Sequence, residues 1–179
     1  VWFHAASLGE FEQGRPVIEK LKEMEPHTKI LLTFFSPSGY EIRKNYQGAD
    51  YIYYLPIDTP SNARRFVEIW KPDAAVFVKY EYWYNYLNEL HKHQVPTYLI
   101  SAIFRPGQPF FKKWGNLHRR MLGFFTRLFV QDEESVKLLS TIGITHVQQT
   151  GDTRFDRVKQ IADAAKRIAN TISSAIGSR

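Results

Sequence analysis

The feature that most constrains this chain is the alternation of short apolar runs with longer amphipathic ones along its whole length. Strand candidates fall at 1–6, 29–34, 51–55, 74–78, 97–101, 128–130 and 147–150. Helix candidates fall between and after them, at 9–24, 37–45, 60–70, 83–93, 110–125, 133–142 and 155–169. A helix after every strand acts as a crossover, so successive strands lie parallel and helices cover both sheet faces. The pattern predicts an α/β fold, an open parallel-sheet Rossmann-like domain. Pro37 behind Ser36 and Pro60 behind Thr59 place proline at a first helical position, behind an oxygen-bearing cap. Gly143 after Ile142 supplies the positive φ that closes a helix. The stretch 170–179, rich in serine and small side chains, is expected to fray.

At 179 residues the chain has the size of one domain and can bury a core without staples. With 44% hydrophobic and 23% charged residues it is not disordered, collagen-like or a coiled coil. The absence of cysteine removes disulfides, thiolate zinc sites and cysteine nucleophiles together. No apolar run approaches the ~18 residues of a membrane-spanning helix, and no signal peptide is visible. The chain opens in a strand-like run at Val1 without an initiator methionine, as expected of a piece of a longer protein. Lysine and arginine number 24 against 18 acidic residues, a net charge of +6. The excess clusters at Arg43-Lys44, Arg64-Arg65, Lys112-Lys113 and Arg119-Arg120. Such a surface suits anionic partners, and it equally serves solubility.

In an open parallel sheet, ligands bind outside the carboxyl ends of the strands, where loops enter helix N-termini. Ser7-Leu8-Gly9-Glu10 stands at the first such edge. Its Ser-x-x-Glu spacing is that of a capping box. The same spacing places the Glu10 carboxylate in a first helical turn at the ligand edge, where it is available as a base. Ser36-Pro37-Ser38-Gly39 offers two hydroxyls and a glycine beside a helix start, either an ordinary cap or an anion cradle. Lys79-Tyr80-Glu81-Tyr82-Trp83-Tyr84-Asn85 sets charges amid aromatics, suited either to a sugar or to core packing. Arg154, within Gly151-Asp152-Thr153-Arg154-Phe155-Asp156, can meet negative charge on a leaving phosphate or pair with a neighbouring aspartate. Phe110-Phe111-Lys112-Lys113-Trp114, with Arg119-Arg120-Met121-Leu122 and Phe124-Phe125, has the mixture that lies on an anionic membrane surface. Core packing with snorkelling basic heads gives the same mixture.

Other chemistries lack their signatures. His91-x-His93 is spaced wrongly for one helical face, and His4, His27, His118 and His146 are scattered, so no metal is expected. There is no Gly-x-Gly-x-x-Gly turn, Gly-x-Ser-x-Gly elbow or Gly-Lys-Ser/Thr phosphate loop. No nucleic-acid motif is present.

Several stretches, in order, resemble the 3-deoxy-D-manno-octulosonic acid (Kdo) transferases of bacterial lipopolysaccharide synthesis. They are His4-Ala5-Ala6-Ser7-Leu8-Gly9-Glu10, Thr33 to Gly39, Leu55-Pro56-Ile57-Asp58, Glu81-Tyr82-Trp83-Tyr84-Asn85, Val130-Gln131-Asp132 and Gly151 to Asp156. The resemblance runs from Val1 to about Val158. It implies one half of a GT-B glycosyltransferase: an N-terminal acceptor domain over 1–158, followed by a helix and tail over 159–179. The membrane anchor and the donor domain that holds CMP-Kdo lie outside the chain, so the piece alone is expected to be inactive. By the resemblance, Glu10 is the general base of an inverting transfer of Kdo from CMP-Kdo to a lipid A precursor. Glu81 and Arg154 stabilise its transition state, with no cofactor or metal. Ser7, Gly9, Ser36, Ser38, Gly39, Lys79 and Arg105 are the acceptor-side candidates. The implied location is the cytoplasmic face of the inner membrane, against its anionic lipid, with no nucleic-acid partner. The chain departs from the family pattern at Lys79, where an acid is usual, at Tyr84 in place of proline, and at Ser101-Ala102-Ile103 in place of Asn-Ala-Arg. Arg154 stands where lysine is usual, keeping the charge but changing its shape. Two other readings fit the same scaffold: a GT-B enzyme with a soluble sugar acceptor, and a non-catalytic nucleic-acid-binding module.

Overall fold

The computed structural model of the chain describes residues 1–151 and 158–177. Seven strands form one sheet: β1 (Trp2–His4), β2 (Leu31–Phe34), β3 (Tyr51–Tyr54), β4 (Ala75–Val78), β5 (Thr97–Ala102), β6 (Arg127–Val130) and β7 (Val147–Gln149). Their order is β3-β2-β1-β4-β5-β6-β7, and every pairing is parallel. The chain runs outward from β1 through β2 to β3, then returns to β4 on the other side of β1. The reversal opens a crevice between the carboxyl ends of β1 and β4.

Parallel strands covered on both faces must be apolar on both, and alternate residues must point opposite ways. Trp2, Leu31, Phe77, Leu99 and Leu128 face α3 (Pro60–Trp70), α4 (Tyr84–Lys92), α5 (Asn116–Leu122) and α6 (Glu133–Ser140). Phe3, Leu32, Val76, Ile100 and Phe129 face α1 (Leu8–Met24) and α7 (Val158–Gly177). The remaining helix, α2 (Pro37–Arg43), packs against α1. In α7, Ala165, Ile168, Ala169 and Ile172 are buried in the α1-side core. The expected fraying of 170–179 is therefore corrected: the helix continues to Gly177, because an apolar residue returns to the sheet at each turn.

Local chemistry accounts for the helix starts. Ser36 accepts from the Ser38 N–H at 3.3 Å, Thr59 from Asn62 at 3.2 Å and Asp132 from Ser135 at 2.8 Å, each satisfying an orphan donor of a first turn. The first residue before α4 is Trp83, which has no capping oxygen. Asp58, from the β3–α3 loop, supplies one instead, accepting from the N–H groups of Asn85 and Tyr86 at 3.2 Å each. Gly143, expected to close a helix, follows α6 at φ 79°.

The single helix expected over 110–125 is instead two pieces, a short 3-10 turn at Pro109–Phe111 and α5. Gly115 separates them. A Cβ there would sit 1.9 Å from the carbonyl oxygen of Pro109, so this close approach admits only glycine. The segment also departs from the membrane-surface expectation. Phe110, Met121, Leu122, Phe124 and Phe125 are buried, and Arg119 donates to the carbonyls of Phe110 and Lys112 at 2.9 and 2.8 Å. Trp114 and Leu117 remain outside, 68% and 54% exposed, beside the exposed Lys112, Lys113 and Arg120. Among the described residues, no helix is long and apolar enough to cross a membrane.

Gly115→Ala is expected to lower stability by about 1–3 kcal/mol, the usual cost of forcing volume into a packed site. Urea denaturation checks this; an unchanged midpoint would show that the Pro109 carbonyl yields freely.

Candidate functional site at the sheet switch point

The crevice between β1 and β4 is furnished by the last residue of β1, the first turn of α1, and the loop from β4 into α4. β1 ends in His4, a fully buried imidazole. Its Nε2 lies 3.1 Å from Oε2 of Glu81, and its Nδ1 lies 2.9 Å from Oγ1 of Thr33 on β2. The indole of Trp83 donates a further, short hydrogen bond to the same Glu81 oxygen. Glu81 is 8% exposed, a costly place for a carboxylate without such partners. The Trp83 ring stands edge-on to His4 at 5.4 Å and meets the exposed Phe35, after β2, at 4.8 Å. Aromatic rings thus wall the carboxylate on one side.

Across the crevice, Glu10 reaches back to the start of its own helix. Its Oε2 accepts from the Ser7 backbone N–H at 2.9 Å and from the Ser7 hydroxyl at 3.2 Å. The capping reading and the ligand-edge reading therefore meet in one side chain. The Glu10 and Glu81 carboxyls also act on each other's protonation across the crevice. Burial, and then the charge of Glu81, push the Glu10 pKa up; Ser7 only partly offsets this. Burial also works against a charge on Glu81, but His4, Trp83 and Glu10 together outweigh it and hold Glu81 below the ordinary glutamate value. The two environments thus separate the carboxyls, favouring a retained proton on Glu10 and a charge on Glu81.

The other candidates are distributed along the same sheet edge. Ser36 and Ser38 join through their hydroxyls at 2.9 Å at the start of α2. Gly39 is buried, with no room for a Cβ beside the Phe34 ring at 2.3 Å; its contribution is the close approach of α2 to the site. Gly9 is exposed in the first turn of α1. Lys79, at φ 68°, turns the chain out of β4, and Ser101 does the same near the end of β5 at φ 56°. A left-handed conformation in two non-glycine residues costs of order 1–3 kcal/mol each and marks imposed geometry. The Lys79 ammonium lies 5.5 Å from the centre of the Tyr80 ring. Arg105 is engaged elsewhere, with Asp132 at 2.9 Å and Glu134 at 3.3 Å, over the start of α6. Arg154 lies outside the described residues. Among the described residues, no three histidine or acidic side chains converge as a metal site.

Sequence reasoning passed over His4, Thr33 and the capping role of Asp58. The available signal was a polar residue at or near the end of a strand otherwise wholly apolar, in Trp2-Phe3-His4 and Leu31-Leu32-Thr33-Phe34.

The parallel sheet and its furnished switch point define a Rossmann-like α/β domain. UDP-GlcNAc 2-epimerase from Methanocaldococcus jannaschii superposes with a TM-score of 0.63 at 16% identity, covering 97% of this chain and 49% of that one. The Neisseria meningitidis enzyme, in complex with UDP-GlcNAc, gives 0.61 at 18% identity, covering 99% and 51%. These likenesses are of fold alone. The family model described as 3-deoxy-D-manno-octulosonic-acid transferase (Kdo transferase) matches residues 1–157, and the chain belongs to this family. It is 31% identical over 157 residues to the 3-deoxy-D-manno-octulosonic acid transferase of Aquifex aeolicus, covering 87% of this chain and 40% of the relative. It is 28% identical over 184 residues to that of Bordetella pertussis, covering 99% and 42%. The chain therefore spans about two-fifths of the length of these relatives.

With Glu81 ionised, Glu10 holds its proton to higher pH than an ordinary glutamate. Glu81→Gln removes that opposing charge and is expected to lower the Glu10 pKa. Titration of the 13C carboxyl resonances reads this directly, and a Glu10 pKa that stays up would leave burial as its sole cause.

Proposed function

We propose that the intact protein transfers Kdo from CMP-Kdo to a lipid A precursor in lipopolysaccharide synthesis, and that this domain receives the acceptor. Family membership supports the reaction class. The observation that carries the assignment of roles is the carboxyl pair at the switch point. A proton acceptor works best when its pKa lies near the working pH, and Glu10 is the carboxyl whose environment raises it.

In this reading the acceptor hydroxyl enters the crevice beside Glu10. Its proton passes to the Glu10 carboxylate as the oxygen bonds to the anomeric carbon of Kdo, on the face opposite the leaving group. The phosphate oxygen of CMP departs with the bonding electron pair, so the anomeric configuration inverts. Glu81, kept anionic, faces the positive charge that develops on the sugar ring, and Arg154 meets the departing phosphate. The Ser36–Ser38 hydroxyls and Lys79 bind the acceptor's polar groups, with Ser7 and Gly9 shaping the edge. CMP-Kdo is assigned to the part of the protein beyond this chain. No metal or cofactor is needed for these steps.

The proposal also places the protein at the cytoplasmic face of the inner membrane. The exposed Trp114 and Leu117 lie close in sequence to the exposed Lys112, Lys113 and Arg120, a mixture of apolar and basic side chains suited to anionic headgroups. This replaces the larger aromatic surface that the sequence suggested.

Glu10→Gln in the full-length protein is expected to cut kcat by about 10²–10⁴-fold, the usual contribution of a general base, with an unchanged melting temperature. Turnover near wild type would return Glu10 to capping alone. Binding to anionic vesicles is expected to fall with added salt and with Lys112→Glu plus Lys113→Glu. Salt-independent binding would count against this basic segment.

A further inference from the structure

Among the described residues, His4 is the only buried histidine. It ends a strand whose other residues, Trp2 and Phe3, are buried hydrophobic side chains. A hydrophobic side chain would satisfy that position, whereas a buried imidazole needs partners for two nitrogens. Both partners are present, and they form a directed chain. The Trp2 indole, a donor only, gives its hydrogen to Thr33 Oγ1 at 2.8 Å. Thr33 Oγ1 lies 2.9 Å from His4 Nδ1, and its alternative acceptor, the Phe3 carbonyl, is more distant at 3.4 Å. With Glu81 ionised and able only to accept, Nε2 carries the hydrogen directed at it; in a neutral ring Nδ1 is then the acceptor, and the Thr33 hydroxyl is the donor at hand. At the far end, Trp83 donates to the same carboxylate oxygen.

We propose that His4 is a positioning residue for the transfer reaction: donating through Nε2, it fixes Glu81 as the anionic partner that faces Glu10. The proposal rests on Glu10 as the base. No bond forms to His4, and its proton stays in place; the acceptor's proton goes to Glu10. Among the described residues, the groups that bear on Glu81 are His4 from β1, Glu10 from α1 and Trp83 from its own loop. β2 contributes the uncharged Thr33, and the Lys79 ammonium is over Tyr80. Without the His4 donor, Glu81 competes with Glu10 for the proton and retains it to higher pH. The form with both carboxyls ionised is then reached later as pH rises.

The test is the pH dependence of kcat/KM for Kdo transfer by the full-length protein, over about pH 5 to 9, which brackets the acid limb set by the carboxyls. The variants are His4→Leu, His4→Gln and Thr33→Val, each with a thermal melt. His4→Leu is expected to raise the acid limb by about one pH unit, as loss of a hydrogen bond to a carboxylate does, while the high-pH plateau stays within a few-fold of wild type. The amide of His4→Gln can still donate and is expected to restore the limb in part. Thr33→Val, which leaves Nδ1 without its donor, is expected to shift the limb in the same direction by less. A rate lowered by one factor at every pH would overturn the proposal and make His4 a packing residue. If His4→Leu does not fold, Thr33→Val decides, and an unshifted limb overturns the proposal. Glu10→Gln separates the two levels. An inactive Glu10→Gln with unshifted His4 and Thr33 variants refutes only the role of His4, whereas an active Glu10→Gln refutes the base itself.

Discussion

A carboxylate taken out of water must find partners, and Glu81 finds them on its own loop and on two other elements of this fold. His4 reaches it from the end of β1, Trp83 from the entrance to α4 and Glu10 from the first turn of α1. The rest of the site follows from that requirement. β1 must lie beside β4 to bring His4 and Glu81 together, so the reversal of strand order after β3 is what creates the crevice. The start of α4 is fixed in turn by Asp58, which satisfies two orphan N–H groups from a loop 27 and 28 residues away. Trp83 is therefore held at the site by a carboxylate that never enters it.

The same contacts separate the chemistry of two identical side chains. Glu81 is more buried, yet carries its charge because donors surround it. Glu10 has the Ser7 N–H and hydroxyl, but it faces an anion, and its proton is held more tightly. The capping box thus aims a carboxyl into the crevice as well as starting a helix. Under the proposed role of Glu10, helix start and proton transfer draw on one side chain.

The strand–helix order was legible because it depends on local patterning. α3 begins and ends as the Thr59-Pro60 start and the apolar spacing indicate, and alternate residues of β1, β2, β4, β5 and β6 fill the two cores. Glu10 was legible for the same reason, since its cap lies three residues away. His4 was not: its partners are 29 and 77 residues distant, and in the sequence it is one of several scattered histidines. The 110–125 segment misled because its apolar spacing continues through a glycine whose close approach to the Pro109 carbonyl appears only in three dimensions. Of the two readings of its rings, core packing is the one that holds for Phe110, Phe124 and Phe125. Arg105 illustrates the converse: a basic residue at the correct sheet edge, with its charge already used by Asp132 and Glu134.

The central claim is that the acceptor sugar meets this domain at the β1–β4 crevice. The most direct measurement is an NMR titration of the chain with a tetraacylated lipid A precursor in mild detergent, against a detergent-only control. The account predicts chemical-shift changes centred on Glu10, Ser36, Ser38 and Glu81. Changes confined to the opposite edge of the sheet, or none beyond the control, would contradict it.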